Sequence, residues 1–308
     1  MTRAPSDPAT REQSRVALVT SDLFPDLWLD DHPLRDAIRE RGVRVDAVRW
    51  DDPDADWDAY DLAVIRSPWD YPARRDEFVA WAHRVPRLAN PADVIEWNTD
   101  KHYLRDLAAA GLPVTPTAFV TPGTRWTPPP AGEWVIKPTI SVNSQDTGRY
   151  RLPEQSDLAA AHVARLAAAG RDTMIQPYLS AVDTAGETAV LCLPDSDGRL
   201  AYSHGIRKGP LLTGPDSGEF DPRETREEIS ARTPTPAELS TAARVLAAVP
   251  GGADRLLYAR VDLIPGPDGE PMLVELELAE PSLFLLHAPG SAERLADAVV
   301  ARLGSRRG

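Results

Sequence analysis

The chain has 308 residues, a net charge of −13 and an apolar content of 42%. These values describe a globular protein with room for two or three domains, and the acidic balance argues against nucleic acid as a partner, because nucleic acid needs basic patches. No apolar run approaches the ~20 residues that cross a bilayer. The first 13 residues are polar and lack a signal-peptide core, so we expect a disordered tail on a cytoplasmic protein with no membrane partner.

The first hundred residues predict a small open α/β sheet. Runs at 15–20, 43–50 and 60–66 have the apolar content or alternation typical of strands, and amphipathic stretches at 34–41 and 75–85 favour helices. No Gly-x-Gly-x-x-Gly follows the first strand, so the sequence carries no dinucleotide fingerprint.

The run Arg-Ser-Pro-Trp-Asp-Tyr follows the third predicted strand. Ligands of open α/β sheets bind beyond the carboxyl ends of the strands. This rule makes four side chains candidate substrate contacts, namely Arg66, Trp69, Asp70 and Tyr71. The alternative is a proline turn held by aromatic packing.

Two lysines have surroundings that favour an anionic partner. Lys101 follows Asn-Thr-Asp and falls in the first turn of a predicted helix at 102–110, where the helix dipole does not favour a cation. A plain surface lysine is the alternative there. Lys137 ends an apolar strand at 133–138, and half-buried lysines usually have an anionic partner. The polar loop 139–148 is placed to close over phosphates.

The middle of the chain begins with a Pro- and Thr-rich stretch, 112–130, that suggests a domain boundary. A polar stretch at 211–233 has the composition of a mobile lid. Packing at a strand end is the favoured role of His204, with substrate contact as the alternative. Strands are predicted at 173–179, 186–193 and 200–204, with Arg207 and Lys208 off the end of the last, and helices at 157–169, 235–249 and 292–303.

Acidic residues mark a predicted hairpin near the C-terminus. Two apolar runs flank the turn segment Pro-Gly-Pro-Asp-Gly. Glu275 and Glu277 are two apart and share a strand face, and the hairpin brings Asp262 beside them. Arg260 shares the face of Asp262. Three converging carboxylates repel unless a cation neutralises them, and hard oxygen ligands suit Mg²⁺. The alternative is a solvated acidic sheet face.

Together these features resemble the ATP-grasp superfamily, over nearly the whole chain from about residue 14. The runs Arg-Ser-Pro-Trp-Asp-Tyr, Asn-Thr-Asp-Lys, Tyr-Ser-His and Glu-Pro-Ser-Leu-Phe-Leu are similar to its glutathione-synthetase-like branch, which contains the O-ureido-serine cyclo-ligase of cycloserine biosynthesis. The resemblance implies an α/β protein with α+β lobes, an ATP-grasp fold behind an N-terminal Rossmann-like pre-ATP-grasp domain. The implied division is a tail at 1–13, the pre-ATP-grasp domain at 14–98, a small lobe with its linking helix at 99–178 and a C-terminal metal-binding lobe at 179–308.

The resemblance also implies an ATP site, in which lysines contact phosphates, a linker backbone binds adenine and an acid holds the ribose. The matching residues are Lys101, Lys137 and Lys208 for the phosphates, Gln176, Pro177, Tyr178 and Leu179 for adenine, and Glu187 for the ribose. Two Mg²⁺ ions are implied as cofactors with ATP, and their matching ligands are Asp262, Glu275 and Glu277. Many ATP-grasp ligases have Asn where this chain has Glu277.

The implied reaction is an ATP-dependent ligation. A small amino-acid-like carboxylate becomes an acyl-phosphate, and an amine of the same or a second molecule then forms the amide. The groups that would offset developing charge are Lys137, Lys208 and Arg260. Glu280 and Ser282 follow the metal strand and join the candidate substrate contacts. The partners implied are small-molecule carboxylate and amine substrates, with a homodimer as a possible assembly.

Other interpretations remain open. No protein nucleophile is needed, which agrees with Cys192, a single cysteine between apolar residues that predicts a buried thiol. The stretch 141–147 has no glycine, although the phosphate loop of these enzymes is usually glycine-rich. That difference favours a nucleotide-binding protein without ligase activity, whereas the lysines and acids oppose it. A different ATP-dependent phosphoryl transfer on the same fold is the third class.

Overall fold

A computed structural model describes residues 13–218 and 227–304. All but the last residue of the predicted tail, and the centre of the predicted lid, lie outside these ranges. The described chain forms three sheets that succeed one another along the sequence. No helix within these ranges has the length and apolar character needed to span a bilayer. The predicted domain boundaries stay a prediction.

The first sheet is parallel and has the strand order β2-β1-β3-β4. Its central strands are buried on both faces because helices cover the sheet. This arrangement confirms the predicted open α/β sheet. Its elements are β1 at Arg15–Thr20, α1 at His32–Glu40, β2 at Arg44–Arg49, β3 at Leu62–Ser67, α2 at Arg75–Arg84, β4 at Leu88–Ala89 and α3 at Ala92–Asn98.

The second sheet is antiparallel, with the strand order β5-β8-β6-β7, and one long helix packs against it. Lys137 lies near the end of its strand β6, as predicted. The elements of this part are α4 at Tyr103–Ala109, β5 at Ala118–Val120, β6 at Gly132–Pro138, β7 at Gly148–Leu152, α5 at Ser156–Ala168 and β8 at Thr173–Pro177.

The third sheet is antiparallel, with the strand order β11-β10-β9-β12-β13. Its strand β10 continues to Lys208, which pairs with Glu187 of β9, so Arg207 and Lys208 lie within the strand and not beyond it as predicted. The elements are α6 at Val182–Ala185, β9 at Glu187–Pro194, β10 at Leu200–Lys208, β11 at Ile229–Ala231, α7 at Pro236–Ala247, β12 at Ala259–Pro265, β13 at Pro271–Glu277 and α8 at Ser291–Gly304.

Two buried asparagines join the first sheet to the third. The Asn90 amide donates to the carbonyls of Tyr258 and Leu278 at 3.0 and 2.7 Å and accepts from the Leu257 N–H. Asn98 forms a similar pair of bonds with the backbone of β13. A buried amide left without partners is costly, so these bonds fix how β13 sits against the helical segments of the first hundred residues.

Arg66 also joins these two parts, and the structure contradicts its predicted role as a substrate contact. It is 1% exposed. Its Nε donates to Asp31 Oδ1 at 2.8 Å, and its Nη2 donates to the Pro281 carbonyl at 2.7 Å. The predicted position beyond β3 is also wrong, because β3 continues to Ser67; the guanidinium lies in the core, where it is the counter-ion of the buried Asp31 carboxylate.

We expect Arg66→Met to lower the free energy of unfolding by about 3–5 kcal/mol, because it leaves the Asp31 carboxylate buried without its partner. Urea unfolding followed by circular dichroism measures this loss. The control is Arg84→Met at the exposed end of α2, which should change stability by less than about 0.5 kcal/mol. A loss below about 1 kcal/mol for Arg66→Met would show that the ion pair does not anchor the two parts.

Candidate active site

A cavity of about 550 Å³ lies where the three sheets meet. Residues of the first sheet's loops, of the second sheet and of the third sheet all line it. Of the predicted site residues, those that line the cavity are Trp69, Tyr71, Lys101, Lys137, Gln176, Pro177, Tyr178, Leu179, Glu187, Lys208, Arg260, Glu275, Glu277, Glu280 and Ser282. Arg66, Asp70 and Asp262 do not.

The acidic hairpin has the predicted register. Asp262 of β12 faces Glu275 of β13, and Arg260 faces Glu277. The alternation along each strand puts all four side chains on one face. The prediction that the hairpin gathers these carboxylates is therefore confirmed, and so is the shared face of Arg260 and Asp262.

Protein cations, however, already neutralise Asp262. This carboxylate is 1% exposed, and it accepts from Lys208 Nζ at 2.9 Å and from Arg260 Nε at 3.0 Å. Burial raises the pKa of the Asp262 carboxyl, but the charges of Arg260 and Lys208 outweigh burial and bring it to about 2. Asp262 is thus ionised, and it does not line the cavity, whereas its partners Lys208 and Arg260 do.

Glu275 lies between two lysines. Lys101 Nζ is 3.1 Å from one carboxylate oxygen and Lys137 Nζ is 3.8 Å from the other. Lys101 Nζ also donates to the Ser141 carbonyl at 2.8 Å. Burial raises the pKa of Glu275, yet the two lysines lower it overall. Both predicted phosphate lysines therefore meet at one acidic side chain, and the surface-lysine alternative for Lys101 is wrong, since it is 6% exposed.

Two further acids form ion pairs with the cations that also bind Asp262. Glu277 contacts the Arg260 guanidinium and Glu187 contacts the Lys208 ammonium. Burial raises the pKa of Glu277 to about 8 and that of Glu187 to about 7. One cation cannot fully compensate the charges of two buried carboxylates. Glu187 and Glu277, which share their cations with Asp262, are therefore partly protonated near neutral pH.

The described residues contain no group of three His, Cys, Asp or Glu side chains close enough to hold a metal ion. At the hairpin, Lys208 and Arg260 occupy the carboxylate of Asp262 and take the place that a metal ion would need there. Glu275 and Glu277 nevertheless present carboxylate oxygens to the cavity, and their donor chemistry fits a hard divalent cation. Asp262 as a third ligand stays a prediction.

The predicted adenine linker runs along the cavity at the end of β8. The Tyr178 N–H donates to the Glu133 carbonyl at 2.8 Å, and the Gln176 amide donates to Thr117. The backbone donor of Tyr178 is therefore used within the sheet. The Arg149 guanidinium lies 3.6 Å from the centre of the Tyr178 ring and fixes that side chain.

Three predicted substrate contacts form one wall. Trp69 Nε1 donates to the Glu280 carbonyl at 3.1 Å, and the Tyr71 hydroxyl donates to Glu280 Oε1 at 2.7 Å. Burial raises the pKa of the Glu280 carboxyl. Asp70 is the exception, because its carboxylate accepts from Trp50 Nε1 at 2.8 Å, outside the cavity; its predicted substrate role is wrong.

His204 has the packing role predicted for it. Its Nε2 lies 2.8 Å from the Leu283 carbonyl and its Nδ1 lies 3.0 Å from the Ser203 hydroxyl. His204 does not line the cavity, so the substrate-contact alternative is not supported.

The glycine-free loop after Lys137 adopts glycine-like backbone angles. Asn143, Ser144 and Asp146 have φ values of 50°, 57° and 53°, in the left-handed region where Asn and Asp are the most tolerated non-glycine residues. Arg165 of α5 donates to Asp146 at 2.7 Å and also contacts Asp216 of the segment after β10. The two segments over the cavity are thereby tied to one helix.

Sequence reasoning missed the mouth of the cavity. The residues that form it include Trp28, Leu29, Asp30, Phe284, Leu286 and His287. The first three follow β1, so the rule that ligands bind beyond strand ends applies to them as it does to the segment after β3. The others belong to a turn whose position depends on long-range packing.

Comparisons with known proteins agree with this geometry. The crystal structure of D-cycloserine synthetase DcsG superposes with a TM-score of 0.80 at 35% identity and covers 94% of this chain and 100% of that chain. D-alanyl-alanine synthetase A from Vibrio cholerae has a TM-score of 0.66 at 14% identity, covering 95% and 98%. The ATP-grasp ligase PsnB, complexed with a precursor variant, Mg and ADP, has a TM-score of 0.60 at 20% identity, covering 94% and 99%. The fold and site therefore define an ATP-grasp ligase.

The sequence gives the family as well. A family model described as the N-terminal domain of D-cycloserine synthetase DcsG matches residues 16–90. The cycloserine biosynthesis protein DcsG of Streptomyces lavendulae is 39% identical over 303 residues, 94% of this chain and 98% of that protein. The chain belongs to the DcsG family. The predicted ATP-grasp fold and the predicted class, an ATP-dependent ligase, are confirmed.

We expect the free energy of unfolding of the metal-free protein to fall as pH rises from 5 to 8. Burial raises the pKa of Glu277 in the folded state to about 8, above the ordinary value of 4.5 for a glutamate carboxyl, so the folded state binds more protons in this window. The stability present at low pH is then lost as pH rises through the folded pKa, by at most ~1.4 kcal/mol per pH unit for each proton.

Urea unfolding in EDTA at each pH measures this slope. Glu277→Gln should flatten it, whereas Glu270→Gln on the exposed hairpin turn should leave it unchanged. A Glu277→Gln profile with the wild-type slope would contradict the raised pKa of Glu277.

Proposed function

We propose that the chain activates the carboxylate of a small amino acid as an acyl-phosphate and then closes an amide within the same molecule, as a cyclo-ligase. The observation that carries the proposal is the cavity itself, in which three lysines and one arginine surround carboxylates that face a single space of about 550 Å³. The DcsG relative at 39% identity supports cycloserine-type chemistry, with O-ureido-serine as the first substrate to test.

The nucleotide would lie between the second and third sheets. Lys101 and Lys137 both contact Glu275, and the anionic phosphates of ATP would compete with that carboxylate for them. Gln176, Pro177, Tyr178 and Leu179 supply the adenine wall. The Tyr178 N–H bonds to Glu133 and the Leu179 carbonyl accepts from the Val182 N–H, so the base would bind to the backbone groups of the linker that these bonds do not use. Glu187 is placed for the ribose.

Mg²⁺ would be held by Glu275 and Glu277, the two acids of the hairpin that face the cavity. Two ions and a third ligand, Asp262, belong to the same proposal. When bound, Mg²⁺ would supply positive charge that neutralises the phosphates. To bind there, Mg²⁺ would replace the protein cations that contact Glu275 and Glu277 in the ligand-free protein.

The protein's own groups would then act by position and charge. Arg260 and Lys208 are held by Asp262 at 2.9–3.1 Å and would offset the charge that develops on the transferred phosphoryl group, with Lys137. No protein nucleophile takes part. Cys192 is buried, and burial raises the pKa of its thiol to about 12, which supports a structural role.

The substrate would lie against the wall formed by Trp69, Tyr71, Glu280 and Ser282. The segments tied by Arg165 would exclude water, which protects an acyl-phosphate from hydrolysis. A homodimer and a cytoplasmic location stay predictions.

We expect ADP release from Mg-ATP to require one member of a panel of amino acids that includes both enantiomers of O-ureido-serine. Coupled assay of ADP and chemical analysis of the product measure this. Glu275→Gln should lower kcat/KM by about 100-fold or more, since about 2.7 kcal/mol of transition-state stabilisation corresponds to that factor.

The matched control is Glu270→Gln, the same change on the exposed turn of the same hairpin, which should keep wild-type activity. ADP release that no amino acid stimulates, or that Glu275→Gln leaves intact, would contradict the proposed ligase reaction.

A further inference from the structure

The mouth of the cavity contains a carboxylate that the proposed reaction does not use. Asp30 lines the cavity and is 7% exposed. Its Oδ1 accepts from the Leu286 N–H at 3.0 Å. Its Oδ2 is buried and has no hydrogen-bond partner. Buried polar atoms without partners are rare and cost free energy, so this oxygen needs an explanation.

The protein supplies Asp30 with no counter-ion among the described residues. The buried cation in this region is Arg66, and it forms an ion pair with the neighbouring Asp31 at 2.8 Å. The Arg66 guanidinium also donates to the carbonyls of Ile65 and Pro281. Asp30 and Asp31 are therefore adjacent buried carboxylates with one arginine between them. Arg66 binds Asp31 and does not bind Asp30.

The position of Asp30 matches the substrate end of the cavity. It follows β1 and lines the same cavity as Tyr71 and Glu280, which follow β3 and β13, and Trp28, two residues before it, lies with its ring centre 5.7 Å from that of Trp69 in this wall. The leucines on either side of the mouth, Leu29 and Leu286, are 61% and 56% exposed. They are exposed to solvent and lack the tight packing of core residues. The predicted adenine linker, in contrast, lies at the end of β8 in the second sheet.

We infer that Asp30 binds the α-ammonium group of the amino-acid substrate and thereby selects amino acids over simple carboxylic acids. The inference rests on the proposed ligase function, because that function puts an amino acid on this wall. An ammonium group supplies both the missing donor and the missing counter-charge. Bound to a carboxylate it stays protonated, has no free electron pair, and does not compete with the ligating nitrogen for the acyl-phosphate.

The alternative role for Asp30 is structural, as an acceptor for the Leu286 N–H. Asp30→Asn separates the two roles, because an asparagine keeps the acceptor oxygen while it removes the negative charge. Asp26→Asn is the matched control, since Asp26 belongs to the same connection between β1 and α1 and its side chain is 78% exposed. Thermal melting establishes that both variants fold.

The experiment is calorimetry on the full chain with Mg²⁺ and a non-hydrolysable ATP analogue. The probes are O-ureido-serine, as separate enantiomers, and its deamino analogue 3-(ureidooxy)propanoate. The wild type and Asp26→Asn should bind one enantiomer about 10- to 100-fold more tightly than the deamino analogue, the range expected for a charged hydrogen bond. Asp30→Asn should abolish this preference and change the affinity for the deamino analogue by less than about twofold.

Two results would overturn the inference. One is that Asp30→Asn keeps the preference for the ammonium-bearing probe, or weakens both probes equally. The other is that neither enantiomer binds to the wild type. ADP release is scored separately on the same proteins. A charge-dependent preference without ADP release would refute the ligase reaction and support the ammonium site. ADP release that Asp30→Asn does not affect would support the ligase reaction and refute the ammonium site.

Discussion

The structure depends on the compensation of buried carboxylates by buried cations in the third sheet. Asp262 is 1% exposed and holds both Lys208 and Arg260. A buried charge without a partner costs several kcal/mol, so the strands that carry these side chains, β10 and β12, must keep their register for the fold to be stable. The same two cations reach the acids of β9 and β13, which links four adjacent strands through one charge network.

The network also explains how the ligand-free protein can be ready for a polyanion. Lys101 and Lys137 come from outside the third sheet, and both lie against Glu275. In the proposed reaction these lysines transfer from a carboxylate to phosphates, and divalent cations take their place on the hairpin acids. Because the charges are already positioned around the cavity, little reorganisation is required when charge develops on the transferred group. The acidic net charge of the chain is no obstacle, since binding depends on this local cluster.

The features that the sequence predicts well are those with a local cause. Apolar runs located the strands, and the period of two placed Glu275 and Glu277 on one face opposite Asp262 and Arg260. Features with a long-range cause were missed. Arg66 lies within β3, and its partner Asp31 lies 35 residues away in the chain. The position of Lys208 beside Asp262 likewise depends on the pairing of strands that are far apart in sequence, which no single hairpin reveals.

A crystal structure of the protein with Mg²⁺ and ADP would test the central claim most directly. The account predicts metal density against Glu275 and Glu277, with the ammonium groups of Lys101 and Lys137 in contact with phosphate oxygens and no longer with Glu275. A nucleotide bound elsewhere, or lysines that remain on Glu275 with no metal at the hairpin, would contradict it.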